Sequence, residues 1–419
     1  MFDVIVVGAR CGGAATALLL ARKGFKVLVV DRARFPSEIP RGHFIQRQGP
    51  ALLQRWGVLG DIVKSGCPPV TTVTTDFGDF PLTGTNLVRD GVALGYGPRR
   101  RVLDTILIEA AISSGVEFRD AFSVEDYVSD GAAITGIRGR AHGSGAGISE
   151  RAWITVGADG RNSSLANAVN ATAYEHVPAL TCWYFSYWSG VALDGLEIYY
   201  RDRNALFAFP TNDGLAAVFV AWPISEFPCV RHNIQASFMK ALEPAPDLEA
   251  RIRTGKREER FYGTADVPNF FRKPYGPGWA LVGDAGHHKD PFLALGVCDA
   301  LRDADLLASA IDEGLSGRQS LPDALARYEQ QRNAASKQLY QENLYMAQFK
   351  PVPDDLLAIR AAVLGDQEET NKFYMARQGM IPLEQFFNPE NLRRLRAQAG
   401  GAGVSRPAVA GSTAESGRI

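Results

Sequence analysis

The first 31 residues constrain the fold more than any other stretch. Phe2 to Val7 (FDVIVV) is a β-branched apolar run that stops abruptly at Gly8, as a strand buried on both faces of a parallel sheet does. Gly8-Ala9-Arg10-Cys11-Gly12-Gly13 follows, and from Cys11 to Lys23 alanine and leucine recur at helical spacing until Gly24 closes the helix. Lys26 to Val30 is the next strand, and it ends on Asp31, 18 residues after Gly13. A strand, turn, helix and strand within about 30 residues is the size of a βαβ dinucleotide unit. Glycines in that turn bend the chain tightly, admit a pyrophosphate against the backbone and let helix pack on strand. The helix N-terminus adds free N–H groups and a positive dipole end. Asp31 stands where an acid accepts from ribose hydroxyls. Arg10 replaces the usual middle glycine, so its side chain turns away from the ligand or its guanidinium itself engages phosphate.

The remaining chain is long enough for two or three modules with cores of their own, at 419 residues. A formal net charge of −1 argues against a dedicated nucleic-acid binder, and 46% hydrophobic residues exclude general disorder. The 42 glycines exceed the average share of roughly 7% and suit an α/β protein with many tight cofactor turns. Five scattered cysteines, without a C-x-x-C pair, read as reduced thiols rather than a disulfide framework or zinc site. The N-terminus lacks the layout of a signal peptide, and no stretch reaches the roughly 18 apolar residues of a membrane span. These features predict a cytoplasmic protein that uses neither a membrane nor a nucleic acid.

Beyond the first unit, Arg32 to Pro98 reads as irregular, with short helices at 50–56 and 59–65. Residues 101–114 form an amphipathic helix, 121–156 are strand-rich, and 178–224 alternate aromatic and small residues as an antiparallel sheet does. A short buried strand is expected at 279–282, helices at 298–313 and 321–349, and more helix over 354–396. The last 20 or so residues, rich in Gly, Ala, Ser and Pro, read as a mobile tail.

Two further segments complete a set. Val156-Gly157-Ala158-Asp159-Gly160-Arg161-Asn162-Ser163 follows a strand, and Leu281-Val282-Gly283-Asp284-Ala285-Gly286-His287 is followed by Pro291, Gly296 and Asp303-Ala304. With these three motifs in order, the chain resembles the FAD-dependent monooxygenases of the para-hydroxybenzoate hydroxylase type. Their wider superfamily includes geranylgeranyl reductases and flavin-dependent halogenases. Arg100 with Leu103 and Leu107, and Tyr328-Glu329 with Arg332, match two of the family's helices, so the resemblance covers roughly residues 1–345.

The resemblance implies that Gly8, Gly13 and Asp31 hold the ADP half of FAD, with Arg10, Gly12 and Arg32 beside them. It lays Arg100 along the cofactor and Val124 near the adenine. Asp159 would support the nucleotide and the reducing pyridine nucleotide. Gly283 and Asp284 would meet the ribityl chain, and Pro291, Gly296 and Val297 would bring backbone to the flavin ring. Ala294 departs from the family by replacing the first glycine of its Pro-x-x-Gly-x-Gly loop.

Other candidates rest on less. Arg41 and His43 lie where the superfamily runs past the flavin and are the only catalytic candidates, as flavin or substrate contacts. Trp183, Tyr184, Phe185, Tyr187 and Trp188 are either a substrate wall or core. Lys289 and Asp290 are either functional or solvated, and the His287-His288 pair reads as a local backbone or cofactor contact rather than a metal site. No W-x-W-x-I-P segment of tryptophan-type halogenases occurs.

The expected fold is a doubly wound α/β FAD domain of discontinuous segments (1–70, 99–170 and 275–345), with an inserted mixed-sheet substrate domain (71–98 and 171–274). A helical extension (346–398) and a mobile tail (399–419) follow. The implied activity is oxygen transfer from O2, through a flavin C4a-hydroperoxide, to a small aromatic or polyketide-like substrate. NAD(P)H or a separate flavin reductase would supply the electrons. The alternatives are an FAD-dependent reductase of carbon–carbon double bonds and a flavin-binding protein without turnover.

Overall fold

The computed structural model describes residues 1–37, 40–143 and 146–401; most of the expected tail lies outside them. Phe2–Val7 runs parallel to Val27–Val30 on one side and to Ile148–Gly157 on the other, with Val4 opposite both Val27 and Ile154. Glu117–Arg119 extends the sheet beyond Val27–Val30, and Trp279–Leu281 adds a parallel strand beyond Ile148–Gly157. The central strands are mostly apolar where both faces are covered, as in Val27–Val30 and Ile154–Val156, whereas the edge strand Glu117–Arg119 keeps charged residues. The helices Cys11–Arg22, Arg100–Ser113 and Gly296–Leu315 bury one face. The antiparallel pair Phe122–Asp130 and Ala133–Ala141 packs on the other through Phe122 and Ile137. This is the doubly wound α/β architecture expected of the chain.

A second sheet is mixed. Thr181–Ser189, Ala216–Pro223, Ala205–Pro210 and Leu196–Tyr200 pair antiparallel in that order, and Leu196–Tyr200 then pairs parallel with Val73–Asp76. Strand alternation sorts the aromatic run onto two faces. Trp183, Phe185 and Tyr187 join one apolar cluster, whereas Tyr184 and Trp188 join another beneath the helices Ile234–Leu242 and Pro246–Thr254.

Two differences from the sequence reading have local causes. The 32–98 stretch contains six short strands between Pro69 and Tyr96. Several are two residues long, too short to show a period, and Val73–Asp76 finds its parallel partner some 120 positions away. The helices between Phe227 and Thr254, which the sequence reading leaves out, begin with their own signals. Asn233 caps one through its side chain, and Pro246 opens another.

The C-terminal helices Asp354–Val363 and Gln367–Arg377 lie against the edge of the second sheet. Arg360, fully buried, donates to Thr75 Oγ1 at 2.5 Å and Phe80 O at 2.8 Å, and pairs with Asp79 at 3.2 Å. The Phe77 and Phe80 rings flank its guanidinium. Tyr374 Oη lies 2.7 Å from Thr75 Oγ1 and donates to Leu82 O at 2.7 Å. The helical extension is therefore fastened to the sheet by polar anchors set among aromatic rings.

Candidate functional site

One cavity of about 1060 Å³ runs between the two sheets, from the Gly8–Gly12 turn to the aromatic face of the second sheet. Gly8 takes φ +107, and a Cβ there would fall 2.5 Å from Ala158 O, so only glycine serves. Gly13 does not line the cavity. Its hydrogen replaces a Cβ that would sit 1.8 Å from Gly8 O, so it lets the helix cross the strand closely. At Gly12 a Cβ would meet protein atoms only at ordinary contact distance, and at Gly296 nothing within 4 Å. The room these two glycines leave belongs to the cavity rather than to the protein core.

Asp31 closes the turn. Its Oδ2 accepts from the Ala9 N–H and its Oδ1 from the Ala33 N–H, each at 2.8 Å, while the side chain still borders the cavity. Arg10 turns sideways: its guanidinium meets Asp104 at 2.9 Å and Ser37 Oγ at 3.2 Å. Arg100 holds the same carboxylate at 2.9 and 3.0 Å. Two cations on one buried acid leave a surplus positive charge beside the glycine turn. The neighbouring Cys11 thiol, buried and bonded to Asp104, is pushed up to about 12 and stays protonated.

Two buried polar atoms here have no partner among the described residues, Arg100 Nε and Asp159 Oδ1. Asp159 uses its other oxygen to accept from the Ser164 N–H and hydroxyl at 2.7 and 2.8 Å. An excess of positive charge, an orphaned donor, an orphaned acceptor and glycine-lined space together fit the pyrophosphate and hydroxyls of FAD. Arg32, Val124, Gly283, Asp284, Pro291 and Val297 also line the cavity. Asp284 has Arg41 as its ion-pair partner, at 3.8 Å.

The segment Pro291–Leu293 forms a single 3-10 turn facing the aromatic sheet, and Ala294 ends it in the left-handed conformation at φ 49, ψ 42. The family's glycine would adopt this freely, whereas alanine accepts a strain of roughly 1–2 kcal/mol. The left-handed turn is therefore made here by alanine, against that strain. Asp290 fixes the turn. Its carboxylate accepts from Thr181 Oγ1 at 2.5 Å, from Trp183 Nε1 at 3.3 Å and from the Phe292 N–H at 3.2 Å. Complete burial pushes Asp290 up to about 7 despite those bonds. Lys289 is buried as well and pairs with Asp299, itself held by Arg302 at 2.7 Å. Neither residue is solvated.

His43 borders the cavity but is held in place. Its Nδ1 lies 3.1 Å from Gly97 O, its Nε2 lies 3.0 Å from Tyr187 Oη, and Phe209 abuts the ring. Burial, with Arg99 and Arg100 nearby, depresses its pKa to about 3, so the imidazole is neutral and donates from Nδ1. His288 Nδ1 contacts Pro268 O, whereas His287 stacks on Phe271 with neither ring nitrogen bonded to a described residue.

Trp183, Phe185, Phe207, Phe209 and Phe219 form the wall opposite the turn. Beyond them the lining includes Arg47, Glu342, Tyr374, Arg377 and Gln378, none of them expected from sequence. Arg377 pairs with Glu342 at 2.6 Å. Arg47 has φ 55 and ψ −130, a conformation that costs a residue with a Cβ about 1–3 kcal/mol. No sequence signal marks these residues, because they converge from positions some 300 apart.

A model of the family described as the FAD binding domain matches residues 1–343. Digeranylgeranylglycerophospholipid reductase 1 of Methanococcoides burtonii is 26% identical over 325 residues, 74% of each chain. The 6-methylpretetramide 4-monooxygenase of Streptomyces rimosus is 24% identical over 342 residues, 75% of this chain and 76% of its own. Among solved structures, a myxobacterial chondrochloren halogenase matches with a TM-score of 0.75 at 20% identity, over 95% of this chain and 96% of its own. That likeness is one of fold.

Proposed function

Since the chain belongs to the FAD binding domain family, we propose that it is an FAD-dependent monooxygenase acting on a small, largely apolar, ring-bearing substrate. It is an FAD-dependent oxidoreductase; the finer reading rests on one observation. A single cavity joins the glycine turn that suits a pyrophosphate to a wall of five aromatic side chains, with the Pro291–Leu293 turn between them. FAD supplies the redox chemistry and, in monooxygenases, the activation of O2. The chain supplies the rest. Arg10, Arg100 and Asp104 keep positive charge at the turn, Asp31 shapes its backbone, and Asp159 and Asp284 offer acceptors to the nucleotide and ribityl hydroxyls. The aromatic wall excludes water from the reacting face.

We assign proton transfer to neither Arg41 nor His43. His43 is neutral and bonded through both nitrogens, which suits a residue that positions the loop 40–47. Arg41, 45% exposed in its side chain and 3.8 Å from Asp284, suits a clamp on the cofactor. NAD(P)H or a separate flavin reductase supplies electrons in this proposal.

The test is oxygen bookkeeping on FAD-loaded protein with a panel of phenols and polyketide-like aromatics. A monooxygenase couples NAD(P)H oxidation to O2 uptake and places one atom of labelled O2 in product. Product formed anaerobically supports reduction of carbon–carbon double bonds instead, and the Methanococcoides burtonii relative is named a reductase. Flavin binding without turnover under any reductant leaves a carrier.

A further inference from the structure

The cavity carries charge that the apolar wall does not account for. Arg47, Glu342 and Arg377 line it together, with Gln378 beside them. Arg377 and Glu342 neutralise one another at 2.6 Å. The Arg47 side chain forms no hydrogen bond or ion pair with any described residue, although Glu342 lies close enough to be felt. The set therefore sums to one uncompensated positive charge. Burial makes that charge costly, and lowers the affinity of Arg47 for its proton. Its backbone is strained besides, and strain of this kind persists where surrounding structure enforces it, often at ligand clamps.

The position is informative too. Gln46, the preceding residue, donates from Nε2 to Leu293 O at 2.7 Å, and Asn343, next to Glu342, accepts from the Leu293 N–H at 2.9 Å. Arg47 and Glu342 are thus each one residue from a side chain that grips the Pro291–Leu293 turn. Arg377 and Gln378 lie beyond residue 343, outside the family match.

Resting on the proposed function, we infer that Arg47 is the anchor for an anionic group, a carboxylate or its equivalent, on the substrate, with Arg377 and Gln378 completing the contact. The substrate class is an apolar, ring-bearing acid. Its rings lie along Trp183, Phe185, Phe207 and Phe219, and its charged end points to the C-terminal helices. A guanidinium suits this task because its planar fork meets a carboxylate with two parallel hydrogen bonds.

The test compares 2-naphthoate with its neutral counterpart 2-naphthamide on FAD-loaded protein. Binding is read twice, from the flavin difference spectrum and from quenching of naphthalene fluorescence. We expect naphthoate to bind at least tenfold more tightly than the amide. Arg47→Gln should raise the naphthoate Kd about tenfold or more, leave the amide within twofold and leave FAD content unchanged. Arg47→Lys should recover part of the preference. Equal binding of acid and amide, binding of neither, or a preference that survives in Arg47→Gln overturns the inference. So does loss of FAD in Arg47→Gln, which would make Arg47 a cofactor contact. A protein that takes up no FAD would instead sink the proposed function; the fluorescence reading would still report on Arg47.

Discussion

Arg10 lies 2.9 Å from Asp104 across the glycine turn, and Arg100 shares the same carboxylate. The residue that stands in for the usual glycine is thus tied to the helix Arg100–Ser113 while still bordering the cavity. The turn keeps its backbone shape and gains a charged buttress.

Asp104→Ala should therefore be severe and Arg10→Gly mild. Removing the 1%-exposed acid strands two guanidinium groups, and breaking a buried pair costs about 3–5 kcal/mol. Arg10→Gly restores the common fingerprint and leaves Asp104 with Arg100, so it should cost about 1 kcal/mol and keep FAD. Denaturant unfolding and bound flavin per chain measure both, and equal losses in the two variants would refute the buttress.

The two acids proposed to hold the cofactor, Asp31 and Asp284, should separate by what they do without FAD. Asp31→Ala leaves the Ala9 and Ala33 N–H groups without their acceptor, a cost of about 1–3 kcal/mol for each group kept from water. Stability without cofactor and FAD affinity should both fall. Asp284 is partly exposed, with Arg41 as its ion-pair partner, so Asp284→Ala should weaken FAD binding while leaving the stability of the flavin-free protein nearly unchanged. Thermal unfolding of flavin-free and loaded forms distinguishes these outcomes.

Asp290 should make stability depend on pH. Its folded pKa of about 7 lies above its ordinary 3.8. Between those values the folded chain holds a proton that the unfolded chain has released, so stability falls as pH rises from about 4 to about 7. The contribution is on the order of a few kcal/mol. Asp290→Asn can still accept from the Phe292 N–H and donate to Thr181, and it removes the titration. Unfolding at pH 5 and pH 8 should therefore differ less in the variant than in the parent.

Arg360→Ala should loosen the C-terminal helices and little else. It strands Asp79 and the carbonyl of Phe80, at a cost of about 3 kcal/mol. Limited proteolysis should cut near residues 350–366 sooner than in the parent, while FAD content holds. Unchanged cleavage would show that Tyr374 and the apolar contacts suffice.

What could be read from sequence was what the chain writes locally. The turn at Gly8–Gly13, the helix after it and Asp31 lie within one short span, and each residue type has one physical use there. The aromatic run at 183–188 was legible as a strand but not as a wall or a core, because alternation makes it both. Trp183 and Phe185 face the cavity, while Tyr184 and Trp188 face the helices. Arg47, Glu342 and Arg377 carry no local pattern and meet only through the packing of three separate elements. Arg360 and Thr75 are 285 positions apart, and nothing in either neighbourhood announces the other.

The family match ends at residue 343, yet Met346, Tyr374, Arg377 and Gln378 border the cavity. If the cavity is used as proposed, residues on both sides of that boundary meet in one chamber, and those beyond it border the part away from the glycine turn. Substitutions at Tyr374, Arg377 or Gln378 should therefore change which small molecules enter the chamber while FAD content stays constant, since none of them lies near the Gly8–Gly13 turn in sequence or lines it.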